Sequence, residues 1–227
     1  MAKSSKHWLR RHVTDGFVRK AKAQGFRSRA AFKLLEVDEK EKLLRRGATV
    51  VDLGAAPGGW SQVAAQKVGP KGRVIAIDLL KIDPISGVTV LNADFRDAVL
   101  TETLGASAAD VVLSDLSPNL SGIPNVDQAR ALELAIGTID FSRRTLKPEG
   151  ALLMKAFHGE AFEELLKRLK KAFRSVKVLK PAASRGESAE TYLVARGLSV
   201  VLREKRRNMK ALASVRAAVS PRKESSL

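Results

Sequence analysis

The chain has 227 residues and a hydrophobic fraction of 44%, which suits one folded domain with appendages. It contains no cysteine, so disulfides, thiolate metal sites and cysteine nucleophiles are excluded. Forty-one lysine and arginine residues stand against 24 acidic residues, and the formal net charge of +17 favours a polyanionic partner such as nucleic acid. Without a long apolar run or a secretory signal, we expect a cytoplasmic protein that makes no membrane contact.

The positive charge is concentrated at the two ends of the chain. Residues 1–33 carry a net charge of +9 and residues 198–227 a net charge of +6, whereas residues 34–197 carry only +2. We therefore expect a basic nucleic-acid-binding segment at 1–33 that includes the start of the first helix. A globular domain at 34–197 and a basic, mobile tail at 198–227 follow it. The alternative is that the basic ends only aid solubility.

Within residues 34–197, short β-rich runs alternate with helical patterns, which is typical of a parallel sheet with helices on both faces. The predicted helices are Arg29–Leu44, Trp60–Lys67, Val126–Leu146 and Ala161–Phe173. The predicted strands are Thr49–Leu53, Arg73–Ile77, Val88–Leu91, Asp110–Leu113, Ala151–Lys155, Val176–Leu179 and Thr191–Ala195.

Only a loop, Lys180–Ser188, joins the last two predicted strands, so they are expected to form an antiparallel hairpin at one edge of the sheet. The predicted fold class is α/β, with a seven-stranded, mostly parallel sheet and one antiparallel strand in its edge region. This is the pattern of the Rossmann-like methyltransferases that use S-adenosylmethionine.

The segment VVDLGAAPGGW contains the residues of a ligand-binding turn. The first strand runs into Asp52, and Gly54, Gly58 and Gly59 follow before a helix begins near Trp60. Glycines let the backbone approach a ligand closely, and open α/β sheets bind ligands at the carboxyl ends of their strands. The turn is therefore predicted to hold a nucleotide-like cofactor.

Two further carboxylates close the next strands and define the cofactor more closely. Asp78 ends the second strand, where it can accept from ribose hydroxyls, and Asp94 follows the third, where it can accept from an adenine amino group. A nicotinamide-dependent dehydrogenase is the main alternative, but its GxGxxG spacing is absent. Asp52 suits the ammonium and sulfonium groups of S-adenosylmethionine, which is the predicted cofactor, with S-adenosylhomocysteine as its product.

The residues near the fourth and fifth strands predict methylation of an oxygen. In SDLSPN, no aromatic residue follows Pro118, which disfavours methylation of an exocyclic amine, and carbon-5 methylation of pyrimidines normally needs a cysteine. Lys155 ends an apolar strand, where burial penalises its charge and favours a neutral amine that can act as a base. Lys33, in an amphipathic helix, can add a second positive charge, whereas Asp115 would stabilise a charged lysine.

From about Trp8 to Ala195 the chain resembles the FtsJ/RrmJ family of ribose 2′-O-methyltransferases. The resemblance rests on SRAAFKL, VVDLGAAPGGWSQ, DFRD, SDLSPNLSG, LLMKAFHGE and SRGESAETYLVA. It implies a catalytic tetrad of Lys33, Asp115, Lys155 and Glu190. Together with the turn, it implies cofactor contacts from Gly54, Gly58, Trp60, Asp78, Asp94 and Asp115. The implied substrate is the ribose of a uridine in the A-loop of large-subunit ribosomal RNA, modified late in subunit assembly.

These residues predict that Lys155 is the base, that Asp115 orients it, that Lys33 tunes the charge and that Glu190 holds a lysine or the ribose. The N-terminal residues expected to grip RNA phosphates are Arg10, Arg11, Arg19, Lys20, Arg27 and Arg29. Two alternatives stay open: a methyltransferase of transfer RNA anticodon loops, and a non-catalytic RNA-binding assembly factor.

The chain departs from the family pattern in its extension Leu198–Leu227 and in His158, where a polar amide is expected. It has three histidines, and no pair of them has convincing metal-ligand spacing, so no metal is expected. A monomer is expected.

Overall fold

The computed structural model describes residues 15–105, 108–119, 121–159, 161–184 and 188–199. Its centre is one seven-stranded sheet with the strand order β3-β2-β1-β4-β5-β7-β6. The strands are β1 (Thr49–Leu53), β2 (Arg73–Asp78), β3 (Val88–Asn92), β4 (Ala109–Ser114), β5 (Leu146–Phe157), β6 (Phe173–Leu179) and β7 (Glu190–Leu198). All seven predicted strands are confirmed.

Strands β1 to β5 are parallel to one another, and β7 runs antiparallel to both β5 and β6. The predicted antiparallel hairpin is therefore confirmed, with the reversed strand second from the edge. This is the Rossmann-like methyltransferase arrangement that the sequence predicts.

Six helices accompany the strands in the described part of the chain. They are α1 (Gly16–Ala23), α2 (Ala30–Glu41), α3 (Gly59–Val68), α4 (Ala98–Leu104), α5 (Pro124–Thr145) and α6 (Phe162–Ala172). The four predicted helices are confirmed. Helix α2 ends earlier than predicted because Lys42 adopts a left-handed conformation with φ of 51°.

Helices α1 and α4 were not predicted. With eight and seven residues, each is too short to show a helical period. Each is nevertheless preceded by an aspartate whose carboxylate caps it: Asp15 accepts from the Phe17 N–H, and Asp97 accepts from the Val99 N–H. A search for N-cap residues is the signal that could have found both.

Alternate strand residues face two separate layers of helices, as buried parallel strands require. In β1, Val51 and Leu53 belong to the core beneath α5 and α6. Val50 belongs to the core beneath α2 and α3. Strand residues that alternate in the same way as Val50, including those at the carboxyl ends of the strands, therefore point toward helix α2.

Helix α1 packs against α2, so the described part of the basic N-terminal segment is attached to the main body. Phe32 of α2 lies with its ring centroid 5.7 Å from those of Phe17 and Phe26. At the other end, Leu198 closes β7 in the core. The predicted mobile tail, from residue 200 onward, lies outside the described residues. Among the described helices, none is long and apolar enough to cross a membrane.

Candidate active site

The four predicted catalytic residues meet at the carboxyl edge of the parallel strands, on the face covered by α2. Asp115 directly follows β4, Lys155 lies near the end of β5, Glu190 begins β7 and Lys33 lies in α2. Lys155 is in register with Tyr192 of β7, whose side chain belongs to the core on that face. The alternation of β5 and β7 therefore directs Lys155 and Glu190 toward Lys33.

The four side chains form two ion pairs. The Lys33 Nζ lies 2.7 Å from Glu190 Oε1, and the Lys155 Nζ lies 3.3 Å from Asp115 Oδ1. Lys155 Nζ also donates to the Asp115 backbone carbonyl oxygen at 2.8 Å. The two lysine side chains are only 11% and 9% exposed, so both charges are screened little by solvent.

Tyr192 links the two ion pairs and is a site residue that the sequence reasoning missed. Its hydroxyl donates to Asp115 Oδ1 at 2.8 Å, and the Lys33 Nζ lies 5.6 Å from its ring centroid. Burial raises the pKa of the Tyr192 hydroxyl, and the negative charges of Asp115 and Glu190 raise it further. The hydroxyl therefore remains a donor. Its spacing of two residues from Glu190 in a β-rich run places both on one face, and this signal could have found it.

Glu190 is held in its ionised form despite burial. Burial raises the pKa of its carboxyl, but the hydrogen bond and charge of Lys33 act in the opposite direction, with smaller contributions from Ser184 and Lys155. The result is a pKa below the usual value of 4.5. Because Lys155 contributes to this shift, the two ion pairs are electrostatically coupled.

A second group of carboxylates lies where the predicted cofactor turn leaves β1. Asp52 is buried, and its Oδ2 accepts from the Ser61 hydroxyl at 2.6 Å. Burial raises the pKa of Asp52 to about 7, with the Ser61 hydrogen bond opposing the shift and the charges of Asp115 and Asp78 adding to it. Three carboxylates thus act on one another at this edge, and a cationic ligand there would relieve their repulsion.

Gly54 and Gly58 are required by both conformation and space. Gly54 has φ of +70°, and a Cβ there would lie 2.3 Å from Leu116 Cδ2. Gly58 has φ of +109°, and a Cβ would lie 2.4 Å from Ile85 Cδ1. Side chains at either position would therefore distort the turn and the residues that pack on it.

Asp78 and Asp94 lie at the ends of β2 and β3 as predicted, and each already has internal partners. Asp78 accepts from the backbone N–H groups of Ala56 and Leu80, at 2.8 and 2.7 Å. Asp94 pairs with Arg96 at 2.6 Å. The Arg96 hydrogen bond lowers the pKa of Asp94 against a smaller opposing effect of burial. Both carboxylates are thus held in fixed positions.

Trp60 is placed differently from the other predicted cofactor residues. Its side chain is buried between α2 and the sheet, and the indole N–H donates to the Ala30 carbonyl oxygen at 2.7 Å. Its ring centroid lies 5.8 Å from that of Tyr192. A contact from this residue to a cofactor would therefore come from its backbone.

Two of the basic residues predicted to grip phosphates make extensive internal contacts. The Arg27 guanidinium donates to the carbonyl oxygens of Pro57, Asp83 and Pro84. Arg29 pairs with Asp15. Arg27 thereby attaches the N-terminal segment to the turn after β1 and the loop after β2, and Arg29 holds helix α1 against the start of α2. Arg10 and Arg11 lie outside the described residues.

His158, the other departure from the family pattern, stacks on Phe162 with ring centroids 4.4 Å apart. Its backbone N–H donates to the Ala189 carbonyl oxygen at 2.9 Å. Among the residues that the structure describes, no group of three or more histidine, aspartate or glutamate side chains is arranged to hold a metal ion.

Comparison with known proteins places this geometry in a family. Residues 26–198 match the model of the FtsJ-like methyltransferases. The chain belongs to this family. A ribosomal RNA large subunit methyltransferase E from Azoarcus sp. (strain BH72) is 53% identical to it over 196 residues, which cover 85% of this chain and 96% of the relative. The predicted resemblance to the FtsJ family is confirmed.

Solved structures agree with this assignment. A Plasmodium falciparum protein assigned as a ribosomal RNA methyltransferase superposes with a TM-score of 0.68 at 28% identity, over 76% of this chain and 98% of that one. Fibrillarin from Aeropyrum pernix, crystallised with natively bound S-adenosylmethionine, superposes with a TM-score of 0.55 at 17% identity, over 74% of each chain, and shows the shared fold. The FtsJ-like chain is a methyltransferase that uses S-adenosylmethionine, and the dehydrogenase alternative is wrong.

Proposed function

We propose that this FtsJ-like methyltransferase methylates the ribose 2′-hydroxyl of a uridine in large-subunit ribosomal RNA. The observation that carries the proposal is the cluster of two lysine–carboxylate pairs joined by Tyr192, beside the carboxylate-rich turn. The matching relative named for large-subunit ribosomal RNA and the net charge of +17 support the choice of substrate. The target is a uridine of the A-loop, modified late in subunit assembly by a monomer in the cytoplasm.

The carboxylates of Asp52, Asp78 and Asp94 and the turn at Gly54 and Gly58 would hold S-adenosylmethionine. Their chemistry fits this ligand, because it combines two positive charges with ribose hydroxyls and an adenine amino group. The bound donor supplies an electrophilic methyl group on a positively charged sulfur. Because Gly54 and Gly58 have no side chains, a ligand can approach the backbone of the turn closely.

Lys155 would accept the proton of the ribose hydroxyl as its oxygen bonds to the methyl carbon, while the bond from that carbon to the sulfur breaks and S-adenosylhomocysteine leaves. Asp115 holds the Lys155 Nζ through both its carboxylate and its backbone carbonyl. Tyr192 donates to the same carboxylate oxygen, so the Asp115 carboxylate is held from two sides and fixes the position of Lys155. General-base assistance of this kind contributes roughly 10²- to 10⁴-fold to the rate.

Lys33 and Glu190 complete the arrangement. Their ion pair places a second positive charge and a carboxylate close to Lys155, where the carboxylate can accept from the ribose. Of the predicted phosphate contacts, Arg19 and Lys20 of α1 have exposed side chains on this end of the body. In this organisation residues 1–33 bind RNA and residues 34–197 perform methyl transfer.

The test is transfer of a radiolabelled methyl group to three substrates: unmodified large ribosomal subunits, protein-free ribosomal RNA and bulk transfer RNA. Products are digested with alkali, because a 2′-O-methyl group blocks cleavage at its own phosphodiester. We expect label in an alkali-resistant dinucleotide from the large-subunit substrates. Label mainly in transfer RNA would overturn the target, alkali-sensitive label would overturn the ribose chemistry, and no label despite cofactor binding would indicate an assembly factor.

A further inference from the structure

A groove of about 760 Å³ lies between the C-terminal halves of α5 and α6, on the sheet face opposite α2. Its charged lining residues are Asp140, Arg143, Glu164, Lys167, Arg168 and Lys171. The groove lies at the start of β5, whereas Lys155 lies near its end. Leu146 is in register with Ala109 of β4 and Met154 with Ser114, so Lys155 lies about six strand residues from Leu146 along the sheet, which is about 20 Å at ~3.3 Å per residue. It is therefore a surface separate from the candidate active site.

The charges of this groove are only partly compensated. Arg143 pairs with Asp140 at 3.1 Å, and Arg168 pairs with Glu164 at 2.9 Å. Lys167 and Lys171 are exposed and have no carboxylate partner within the described part of the chain. The groove thus keeps two free ammonium groups on its α6 side, above a floor that includes Ile139 and Ala172.

The chain beyond the groove adds to the same positive field. Ser199, which lines the groove, is directly followed by residues 200–227, and these carry a net charge of +6. Like charges repel, so this segment is a poor occupant for a groove with two free lysines. A polyanion, by contrast, would be attracted by the two lysines of the groove and by residues 200–227 together.

We infer that the α5–α6 groove is a second RNA-binding surface that contacts phosphates of the substrate about 20 Å from the methylated nucleotide. This inference rests on the proposed function for the class of partner. A ribosomal RNA is far larger than the protein, so its backbone extends well past the reaction centre. Lys167 and Lys171 each neutralise one phosphate, and such contacts contribute affinity without reading sequence.

The first experiment compares the double variant Lys167→Ala/Lys171→Ala with a control, Lys40→Ala/Lys71→Ala, which loses the same charge on the other side of the sheet. Binding of in vitro transcribed, unmodified large-subunit RNA is measured without methyl donor at several salt concentrations. We expect the groove variant to bind about tenfold more weakly near 150 mM salt, with a logarithmic salt slope shallower by roughly 1.4 to 1.8. The control should change less than twofold. Equal affinities of the two variants would overturn the inference.

A second experiment uses the wild-type chain, so that it does not depend on any variant. Lysines are acetylated with and without the same RNA, and each site is quantified by mass spectrometry. We expect RNA to protect Lys167 and Lys171 more than Lys40 and Lys71. Unchanged labelling would overturn the inference, and so would protection already present without RNA, which would place residues 200–227 in the groove. Both experiments omit methyl transfer, so a failure of the proposed ribose chemistry is detected separately.

Discussion

At the carboxyl ends of β1 and β2, on one side of the strand-end edge, the carboxylates of Asp52 and Asp78 are held by neutral donors, whereas Asp94 after β3 pairs with Arg96. Asp52 accepts from the Ser61 hydroxyl, and Asp78 accepts from the N–H groups of Ala56 and Leu80. None of these partners carries a charge, so the negative charge of the carboxylates is left for a ligand. On the β4–β7 side, by contrast, Asp115 and Glu190 each face a lysine.

The two sides of this edge therefore have different tasks, cofactor binding and proton transfer. The side with Asp52 and Asp78 attracts and positions a cation; burial, with added repulsion from the charges of Asp115 and Asp78, raises the pKa of Asp52 to about 7. The side with two ion pairs has little net charge of its own. We therefore expect substitutions on the first side to change affinity for the cofactor, and substitutions on the second to change turnover.

The largest effect is expected at Lys155. Replacing it by alanine removes the base and should lower turnover by about 10²- to 10⁴-fold, while binding of S-adenosylhomocysteine changes less than twofold. Turnover is measured by radiolabelled methyl transfer, and binding by calorimetry. Lys147→Ala is the matched control, because it removes the other lysine of β5, which pairs with Asp110 at the opposite end of the strand. Near-normal turnover of Lys155→Ala would refute the base assignment.

The next effect concerns the other side of the edge. Asp78→Asn keeps the size of the side chain but weakens acceptance from ribose hydroxyls, and loss of a hydrogen bond to a charged group costs about 1.5–3 kcal/mol. We expect cofactor affinity to fall by about 10- to 100-fold, with turnover at saturating cofactor within threefold of the wild type. Asp83→Asn, a nearby exposed carboxylate, controls for the loss of charge. A fall in turnover at saturation would mean that the two sides are not separable in this way.

The sheet and the candidate residues Lys33, Asp115 and Lys155 could be predicted from local patterns, whereas Glu190 came from the resemblance to the FtsJ family. Buried strands such as Thr49–Leu53 are continuous aliphatic runs, and Lys155 ends one of them. The sequence predicted that Asp115 orients Lys155, but it did not predict that Glu190 pairs with Lys33 rather than with Lys155 or the ribose, because those two residues are far apart in the chain. The Lys33–Glu190 pair depends on how α2 is placed against β7.

The same limit explains Tyr192 and Arg27. Tyr192 looks like an ordinary core residue until β5 and β7 are paired, which brings its hydroxyl to Asp115. Arg27 looks like a phosphate contact until the loop after β2 is placed, since its three acceptors are carbonyl oxygens of Pro57, Asp83 and Pro84. Sequence patterns indicate which chemistry a residue can perform. The tertiary fold determines whether its polar groups are already engaged in contacts within the protein.

A smaller effect is expected for Tyr192→Phe, which keeps the buried ring and removes only the hydroxyl. Asp115 then loses one of the side-chain donors that hold its carboxylate, so Lys155 is positioned less well against the ribose oxygen. We expect turnover at saturating cofactor to fall by about tenfold and cofactor affinity to change less than twofold. The measurement compares turnover with binding of S-adenosylhomocysteine. Turnover equal to that of the wild type would show that the hydroxyl does not position Lys155.

The smallest effect is expected at Asp52 and is measured as a change in melting temperature. Its pKa is raised from 3.8 to about 7 in the folded chain, so its contribution to stability is full below about pH 4 and is lost as the pH rises through 7. Asp52→Asn has no such titration. We expect the variant to melt a few degrees higher than the wild type at pH 8 in the free state, with a smaller difference at pH 6.

Adding S-adenosylmethionine should reverse the order, because a cation beside Asp52 stabilises its ionised form and the amide of the variant has no charge to offer. The ligand should therefore raise the melting temperature of the wild type more than that of Asp52→Asn. This increase should be larger at pH 8 than at pH 6. Ser61→Ala sharpens the test: it removes the hydrogen bond that lowers the pKa of Asp52, so the loss of stability should still begin near pH 4 but continue to a higher pH. If the ligand stabilised the wild type and Asp52→Asn equally at pH 8, the carboxylate would have no role in attracting the donor, and the division between the two sides of the edge would rest on Asp78 and Asp94 alone.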